Sequence, residues 1–220
     1  MDSIKEPERW QEIVDTSARI FSERGYKRAS VRIIAEELGL LQGSLYHYVT
    51  SKEDLLYAVI RRFHDLSWAN MEAGRRASDS PIDCIAAVVH GHVLLCAAHR
   101  IDAAVFYREF RGLREDRRAE IMAWRHRNEA SMKDLVKAAK SRGEVSDRTN
   151  AHVATMNILN MINSIFLWYR PDGEKEPEEM AAVFATMAVR GLRMLPIRPA
   201  ASPPPRGLAR VARDAATTVA

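Results

Sequence analysis

Residues 30–56 read SVRIIAEELGLLQGSLYHYVTSKEDLL, and this stretch decides how the N-terminal part of the chain folds. Apolar residues recur at helical spacing on both sides of Gly39, which predicts two short helices joined by a tight turn. Ser30 suits the N-cap of the first helix, and Ser51 with Asp54 forms a near capping box that opens a longer helix. The residues expected to form a small shared core are Ile34, Ala35, Leu38, Leu40, Leu45 and Val49.

The opposite face of the second short helix carries short or planar groups that form hydrogen bonds. Such groups suit the major groove of DNA, where base edges and phosphates lie within reach. A glycine turn between short helices also occurs in purely structural bundles, where the tyrosines would belong to the core, and a solvated surface histidine is as common as one that contacts a base. The residues expected on the DNA-facing surface are Gln42, Gly43, Ser44, Tyr46, His47 and Tyr48.

Helical spacing continues outward from this stretch, from residue 8 to residue 195. The predicted fold class is all-α, with a three-helix helix-turn-helix domain followed by a helical ligand-binding and dimerisation domain. The nine predicted helices span residues 8–24, 31–38, 42–48, 52–74, 81–98, 102–111, 115–142, 149–169 and 177–195. The expected domains are 1–55 for DNA binding, 56–195 for ligand binding and dimerisation, and 196–220 as a disordered tail rich in Pro and Arg.

Composition supports a globular protein but does not by itself point to DNA. Of the 220 residues, 47% are hydrophobic and 28% are charged, enough for a sizeable core and too apolar for a disordered chain. The net charge is +4, yet residues 1–55 hold eight Lys and Arg against ten Asp and Glu, while the tail holds four Arg and one Asp. The case for DNA therefore depends on where individual side chains point.

Several classes of protein are disfavoured by what the sequence contains. We find no apolar run of the 18–20 residues that a membrane span needs and no apolar signal core at the charged N-terminus, so we expect a cytoplasmic protein without a membrane partner. Cys84 and Cys96 fall about 18 Å apart on one predicted helix, beyond disulfide reach, and should be reduced thiols. With no metal-ligand spacing, cofactor motif or catalytic motif, we expect no metal, no cofactor and no enzyme.

Residues 8–60 resemble the TetR/AcrR family of bacterial repressors, most closely in the stretch GSLYHYVTSKEDLL from Gly43 to Leu56. The resemblance implies that Arg32 and Gln42 read bases. It also implies that Ser44, Tyr46 and Lys52 hold phosphates, and that His47 and Tyr48 lie on the DNA-facing surface. Two positions depart from the family pattern: Ile33 replaces a common acid, and Leu41 replaces a common capping serine, which should weaken the cap of the recognition helix.

The C-terminal part offers apolar volume bordered by polar atoms, the usual form of a small-molecule site. Asn157, Asn160 and Asn163 lie on a helix that is otherwise apolar, so they must bond each other, a second subunit or a ligand. His90, His92 and His99 hint at a metal site, although a core or pocket histidine is the commoner outcome. The expected ligand-binding residues are His92, Cys96, Phe106, Tyr107, Phe110, Trp124, Asn160, Asn163 and Trp168.

Five arginines crowd around a predicted helix junction: Arg108, Arg111, Arg114, Arg117 and Arg118. They form either a solvated face paired with neighbouring acids or a cationic mouth for an anionic ligand. Residues 106–111, 115–121 and 166–171 look like those of TetR-type regulators of lipid or sterol catabolism. This resemblance implies a largely apolar effector, and an acyl-CoA thioester would use both the cavity and the arginines.

The last predicted helix carries an apolar stripe that suits a homodimer interface, although ordinary intrachain core would give the same pattern. The expectation is a repressor that a small ligand releases from a double-stranded DNA operator. A regulator that uses its ligand as corepressor, a ligand-binding protein without DNA binding, and an all-helical enzyme are the alternatives. The stripe consists of Met180, Val183, Phe184, Met187, Gly191 and Leu195.

Overall fold

The computed structural model describes residues 5–173 and 175–194, and all the regular structure within them is helical. A single turn of 3-10 helix, Phe110–Gly112, follows the sixth helix. The α-helices are α1 (Lys5–Arg24), α2 (Val31–Glu37), α3 (Gln42–Leu45), α4 (Lys52–Gly74), α5 (Pro81–Ala98), α6 (Arg100–Arg108), α7 (Glu115–Ser141), α8 (Ala151–Asn163), α9 (Ile165–Trp168) and α10 (Pro177–Arg193).

This architecture confirms the predicted all-α fold class, with differences at three helices. The helix predicted over residues 42–48 ends at Leu45, and the helix predicted over 102–111 is α6 followed by the 3-10 turn. The single helix predicted over residues 149–169 is two helices, α8 and α9, with Ser164 between them. The Ser164 hydroxyl donates to the carbonyl of Met161 at 2.9 Å. Such a bond offers the backbone an alternative to continuing the helix, which accounts for the interruption.

The turn between α2 and α3 forms at Gly39, as its sequence predicts. Gly39 has a φ of 64°, a left-handed conformation that favours glycine. The amide of Leu40 donates to the carbonyl of Ala35 at 2.8 Å and closes the end of α2. Ser30 caps the other end, where its hydroxyl accepts from the amide of Ile33.

The first three helices and the turns between them form a small head with its own core. Five of the six predicted core residues are buried, and Leu40 is partly buried against them. Within the head α2 packs against α1 and α3, and α1 packs in turn against α4. The short helix α3 is therefore held by packing rather than by its own length, since four residues do not form a stable helix alone. The buried residues are Ile34, Ala35, Leu38, Leu45 and Val49.

Helix α4 begins with a complete capping box. The Ser51 hydroxyl accepts from the amide of Asp54, and the Asp54 carboxylate accepts from the amide of Ser51 at 2.8 Å. The same carboxylate accepts from the amide of Thr50 at 3.0 Å. The shorter aspartate thus fills the role that glutamate usually has, and the start of the long helix is fixed at Ser51.

Helix α5 lies at the centre of the C-terminal part, packed against α4, α7 and α10. Its 18 residues are long and apolar enough to cross a membrane by length and composition alone, contrary to the expectation that no apolar run reaches this length. Half of these residues are buried inside the protein. The apolar character of α5 is therefore that of a core helix.

Two further expectations concern the cysteines and the C-terminus. Cys84 and Cys96 are both buried and both free, in agreement with the spacing argument. The predicted tail, residues 196–220, and the last residue of the predicted dimer stripe, Leu195, lie outside the described residues.

Replacing Gly74 by alanine should destabilise the fold. A Cβ at Gly74 would lie 2.8 Å from the backbone nitrogen of Val88 on α5, so α4 and α5 would have to separate. We expect the free energy of unfolding in urea to fall by about 1–3 kcal/mol, although alanine is the better helix former. Gly43→Ala is the control, because nothing lies within 4 Å of a Cβ there. Equal stability of Gly74→Ala and the wild type would show that the contact is not tight.

Candidate DNA-binding surface and effector cavity

The outward face of α3 and the turn after it hold most of the predicted DNA contacts. Leu45 and Val49 point into the core of the head, and they fix which side of this segment faces out. Ser44 is partly buried, and the rings of Tyr46 and Tyr48 are not core residues, since 47% and 36% of their surfaces are exposed. The exposed residues are Gln42, Gly43, Tyr46, His47 and Tyr48.

Two exposed residues flank this face on the N-terminal side. The Arg32 side chain is 70% exposed and lies 3.4 Å from the Glu36 carboxylate on the same helix. Leu41 is 80% exposed and supplies no side-chain cap to α3, as its departure from serine predicts. Sequence reasoning did not identify Leu41 as a surface residue, although an apolar residue at an N-cap position has no core to enter.

Lys52 is placed differently from the other predicted contacts. Its ammonium donates to the carbonyls of Tyr26 at 2.9 Å and Ala29 at 2.8 Å. It also lies 4.3 Å from the centre of the Tyr26 ring. Lys52 therefore ties the start of α4 to the turn between α1 and α2, which leaves one of its three N–H groups for another partner.

A set of polar contacts, here called the joint, connects the head and the start of α4 to the region around α7. Arg117 donates to the Asp54 carboxylate at 2.6 Å, and Arg114 lies 3.0 Å from the Glu53 carboxylate. Glu109, just after α6, accepts from the backbone amide of Tyr26 at 3.3 Å. The joint consists of Tyr26, Glu53, Asp54, Glu109, Arg114 and Arg117.

Asp54 is the group that the joint and the capping box share. Burial opposes ionisation of its carboxyl, but hydrogen bonds from Thr50, Arg117 and Ser51 outweigh that effect and hold its pKa well below the ordinary value. The carboxylate is thus charged throughout the physiological range. Its negative charge also lies at the N-terminus of α4, where the helix dipole favours an anion.

A second set of ion pairs, centred on Arg62 of α4, joins three helices. Arg62 donates to Asp15 of α1 at 2.5 Å and to Asp102 of α6 at 2.7 Å. Asp102 is only 4% exposed, so this pair is shielded from solvent more than the other ion pairs at the surface. Helices α1, α4 and α6 are therefore held together at this point.

The arginine cluster does not form a single cationic mouth. Arg114 and Arg117 are committed to the acids at the start of α4. Arg108 lies over the Phe166 ring, and Arg111 lies over the Phe110 ring. Arginines of this cluster do pair with acids, as the sequence suggests. The main acidic partners, however, are Glu53 and Asp54 of α4, about 60 residues earlier in the chain.

A cavity of about 300 Å³ lies between α4, α5, α6, α7 and α8. Five of the nine residues predicted to bind a ligand line it. The cavity is also lined by α4 and α7 residues that sequence reasoning missed, because nothing in the local pattern shows which face of a long helix meets a cavity. The predicted residues that line it are His92, Phe106, Tyr107, Asn160 and Asn163; the missed polar residues are Ser67, Asn70, Arg125, Asn128 and Glu129.

Burial shifts the pKa values of two polar residues that line the cavity. The Tyr107 hydroxyl donates to the Asn163 amide oxygen at 2.7 Å, and burial raises the pKa of Tyr107 well above its ordinary value. Burial lowers the pKa of His92 to about 4, so this imidazole is neutral at physiological pH. The Nε2 atom of His92 is buried without a hydrogen-bond partner among the described residues.

The other predicted ligand residues lie outside the cavity lining. Cys96 is buried, and burial raises the pKa of its thiol to about 12. Phe110 packs under the Arg125 guanidinium, 4.0 Å from ring centre to cation. Trp124 stacks on His64, and Trp168 is 51% exposed and stacks on Phe184. The helical spacing of these aromatic residues predicts that they are packed in the protein. It does not show whether a ring lines a cavity, lies in the nearby core or is at the surface.

Comparison with protein families covers both parts of the chain. The family of bacterial regulatory proteins, tetR family, matches residues 13–59, which contain α2, α3 and the start of α4. The family described as Tetracyclin repressor-like, C-terminal domain, matches residues 78–192, more than half of the chain.

This chain belongs to the TetR family.

Relatives of this TetR-family chain are transcriptional regulators rather than enzymes. The HTH-type transcriptional repressor KstR2 of Rhodococcus jostii (strain RHA1) is 27% identical over 191 residues, which cover 82% of this chain and 89% of that protein. The HTH-type transcriptional regulator HbdR of Aromatoleum sp. (strain CIB) is 23% identical over 71% of this chain and 68% of its own length.

Solved TetR-family structures have the same fold. The ketosteroid transcriptional regulator KstR2 of Mycobacterium tuberculosis superposes with a TM-score of 0.80 at 21% identity, over 85% of this chain and 96% of that one. The crystal structure of AibR in complex with isovaleryl coenzyme A and operator DNA gives 0.74 at 24% identity, over 81% and 97%.

The apolar stripe of α10 divides between two faces in this TetR-family chain. Met180 is 6% exposed and packs inside the chain, because α10 lies along α5. Phe184 is partly buried. Val183 and Met187 are exposed over 54% and 57% of their surfaces, and Gly191 is exposed as well.

The three histidines on and beside α5 lie near different groups. His90 lies 3.1 Å from Glu178, and His99 lies 3.7 Å from Asp102. His92 lies in the cavity. Across residues 5–173 and 175–194, no three potential metal ligands come together.

Stability should decrease between pH 7 and pH 5 because of His92. Its folded pKa of about 4 is below the value of about 6.5 in an unfolded chain, so the unfolded state binds the proton first as the pH falls. The contribution is at most about 1.4 kcal/mol per pH unit. We expect His92→Gln to make the free energy of unfolding less dependent on pH, and His126→Gln, an exposed control on α7, to leave it unchanged. Identical pH profiles for wild type and His92→Gln would contradict the burial argument.

Proposed function

We propose that this chain is a sequence-specific DNA-binding repressor that a small, largely apolar effector releases from its operator. The observation that carries the proposal is the exposed polar face of α3 on a head whose core residues all point the other way. A helix with this face enters the major groove, where its side chains meet base edges and phosphates.

The proposed contacts follow the exposure of each residue. Arg32 and Gln42 read bases, and Gly43 lets the backbone approach the groove, since the space beside it is open. Ser44 and Tyr46 hold phosphates, and His47 and Tyr48 extend the surface. Lys52 reaches a phosphate only with its remaining N–H, because two others are already bonded within the head.

A homodimer is proposed to present two such heads. The exposed apolar residues Val183 and Met187 of α10 and Val153 of α8 suit packing against a second copy. Among residues 5–173 and 175–194, no atom lies within 4 Å of a Cβ built at Gly191, which leaves space for a partner helix to approach closely. A two-fold pair with its recognition helices about 34–36 Å apart would fit successive turns of DNA.

The effector is proposed to occupy the cavity and to act through the joint. Phe106 and Tyr107 line the cavity on α6, and Glu109, which holds the amide of Tyr26, follows directly. Helix α7 carries both Arg125, which lines the cavity, and Arg117, which holds Asp54. A ligand that favours a different position of α6 and α7 would move the heads, and a coupling of about 1–3 kcal/mol changes DNA affinity about 5–150-fold.

An acyl-CoA thioester is the finer proposal for the effector. AibR is described with isovaleryl coenzyme A, and KstR2 is described as a ketosteroid transcriptional regulator. The cavity volume suits an acyl group, with the coenzyme outside it. The AibR crystal contains its ligand together with operator DNA, which favours a second candidate function in which the ligand is a corepressor. Either function requires access to the genome and therefore a cytoplasmic location.

DNA binding is tested with duplexes from the region upstream of its own gene. Arg32→Ala should weaken binding to the preferred site about 5–150-fold, the range expected when a base-reading arginine is lost, and should relax specificity. Arg76→Ala is the control, since Arg76, just after α4, is 73% exposed and pairs with Glu72 four residues earlier, as Arg32 pairs with Glu36. Fluorescence anisotropy with specific and scrambled duplexes measures both effects.

Two outcomes would overturn the proposal. Binding of the wild type to specific and scrambled duplexes with equal affinity would exclude a sequence-specific regulator. Equal loss of affinity in Arg32→Ala and Arg76→Ala would show that the α3 side of the head does not read DNA.

A further inference from the structure

Unpartnered polar atoms are concentrated around the cavity. Six buried side-chain nitrogen or oxygen atoms in the described residues lack a hydrogen-bond partner, and three belong to residues that line this one cavity. They are Nε2 of His92, Nε of Arg125 and Oδ1 of Asn128. Leaving such groups unpaired costs free energy, so a bound ligand or an ordered water must supply the missing partners in this cavity.

Arg125 is the cationic member of this cluster. Among the described residues it has no carboxylate within 4.0 Å, whereas Arg62, Arg114 and Arg117 each have one or more. Its guanidinium donates one bond, to the carbonyl of Phe106 at 3.0 Å. The rings of Phe106, Tyr107 and Phe110 surround it with centres 4.0–5.7 Å away. Its position is therefore fixed, while Nε still has a hydrogen to donate.

The chemistry of these groups selects a ligand oxygen that carries negative charge. A guanidinium only donates hydrogen bonds, and its planar fork matches a carboxylate. Asn128 can present its amide N–H₂ in place of the oxygen, because the two ends of an amide exchange by a flip. The one acid among the lining residues, Glu129, is 30% exposed, and its carboxylate lies 3.5 Å from the His152 ring.

The apolar residues that line the cavity and the cavity volume indicate the rest of the ligand. Apolar side chains from four helices, Met71, Val88, Phe106 and Leu159 among them, line the cavity together with the polar cluster. A volume of about 300 Å³ holds roughly ten water-sized groups at ~30 Å³ each. A hydrocarbon chain of about eight carbons that ends in a carboxylate has this size.

We propose that the cavity binds a small apolar carboxylic acid, with its carboxylate held by Arg125 beside His92 and Asn128. The role of this acid as the effector rests on the proposed function, whereas its binding in the cavity does not. It differs from the acyl-CoA proposal in chemistry, because a thioester carbonyl offers Arg125 no negative charge.

Calorimetric titration of the full-length protein with octanoate, 1-octanol and octanoyl-CoA tests the assignment. We expect octanoate to bind at least ten-fold more tightly than 1-octanol. Arg125→Met should weaken octanoate binding at least ten-fold and leave 1-octanol binding unchanged. Arg127→Met is the matched control. Arg127 is on α7, as Arg125 is, and its guanidinium lies over the Trp68 ring of α4, but it does not line the cavity.

Arg125→Lys keeps the result interpretable if the methionine variant fails to fold. It retains the charge without the planar fork, so it should still prefer octanoate to 1-octanol, with lower affinity than the wild type. The assignment is overturned if the folded wild type does not bind octanoate or binds it no more tightly than 1-octanol. It is also overturned if Arg125→Met and Arg127→Met lose affinity equally, or if octanoyl-CoA binds more tightly than octanoate in both wild type and Arg125→Met.

Failure of the proposed function gives a different result. If octanoate binds through Arg125 but leaves the affinity for DNA unchanged, the cavity assignment holds and the effector role is wrong. If the protein does not bind specific DNA, calorimetry still decides whether Arg125 holds the acid.

Discussion

The Asp54 carboxylate is the interaction on which the arrangement of head and body depends. It caps the first turn of α4 and at the same time accepts a hydrogen bond from Arg117 of α7 at 2.6 Å. One group thereby fixes where the long helix starts and which part of the body it meets. Hydrogen bonds from Thr50, Ser51 and Arg117 keep the carboxyl ionised against the effect of burial, so the connection persists across the physiological pH range.

This constraint makes the two proposed activities mechanically dependent on each other. The orientation of the head relative to the C-terminal part depends on its contacts with that part. The head is small, and its helix α3 has only four residues. Its orientation comes from α4, from Lys52 and from the bond between Glu109 and Tyr26. The helices that make these contacts, α4, α6 and α7, also line the cavity. A ligand that filled the cavity would therefore contact the same helices that hold the head.

Local features were predictable from sequence, whereas long-range partners were not. The turn at Gly39, the cap at Ser30 and the box at Ser51 depend on neighbours within four residues, and the structure has all three. The burial of Met180 depends instead on how α10 lies along α5, and periodicity alone does not reveal it. Arg125 escaped notice for the same reason, since a sequence does not show that its side chain lacks a carboxylate within 4.0 Å among residues 5–173 and 175–194.

The most direct test compares DNA affinities of wild type and Arg117→Met for an operator with two half-sites and for a fragment with one. The variant removes the contacts of Arg117 with Asp54 and Glu53 and leaves the α3 face intact. The account predicts unchanged affinity for the single half-site and a loss of the extra affinity that two correctly spaced half-sites give the wild type. Equal affinity of both proteins for the full operator would contradict it, because the heads would then keep their spacing without the bond between Arg117 and Asp54.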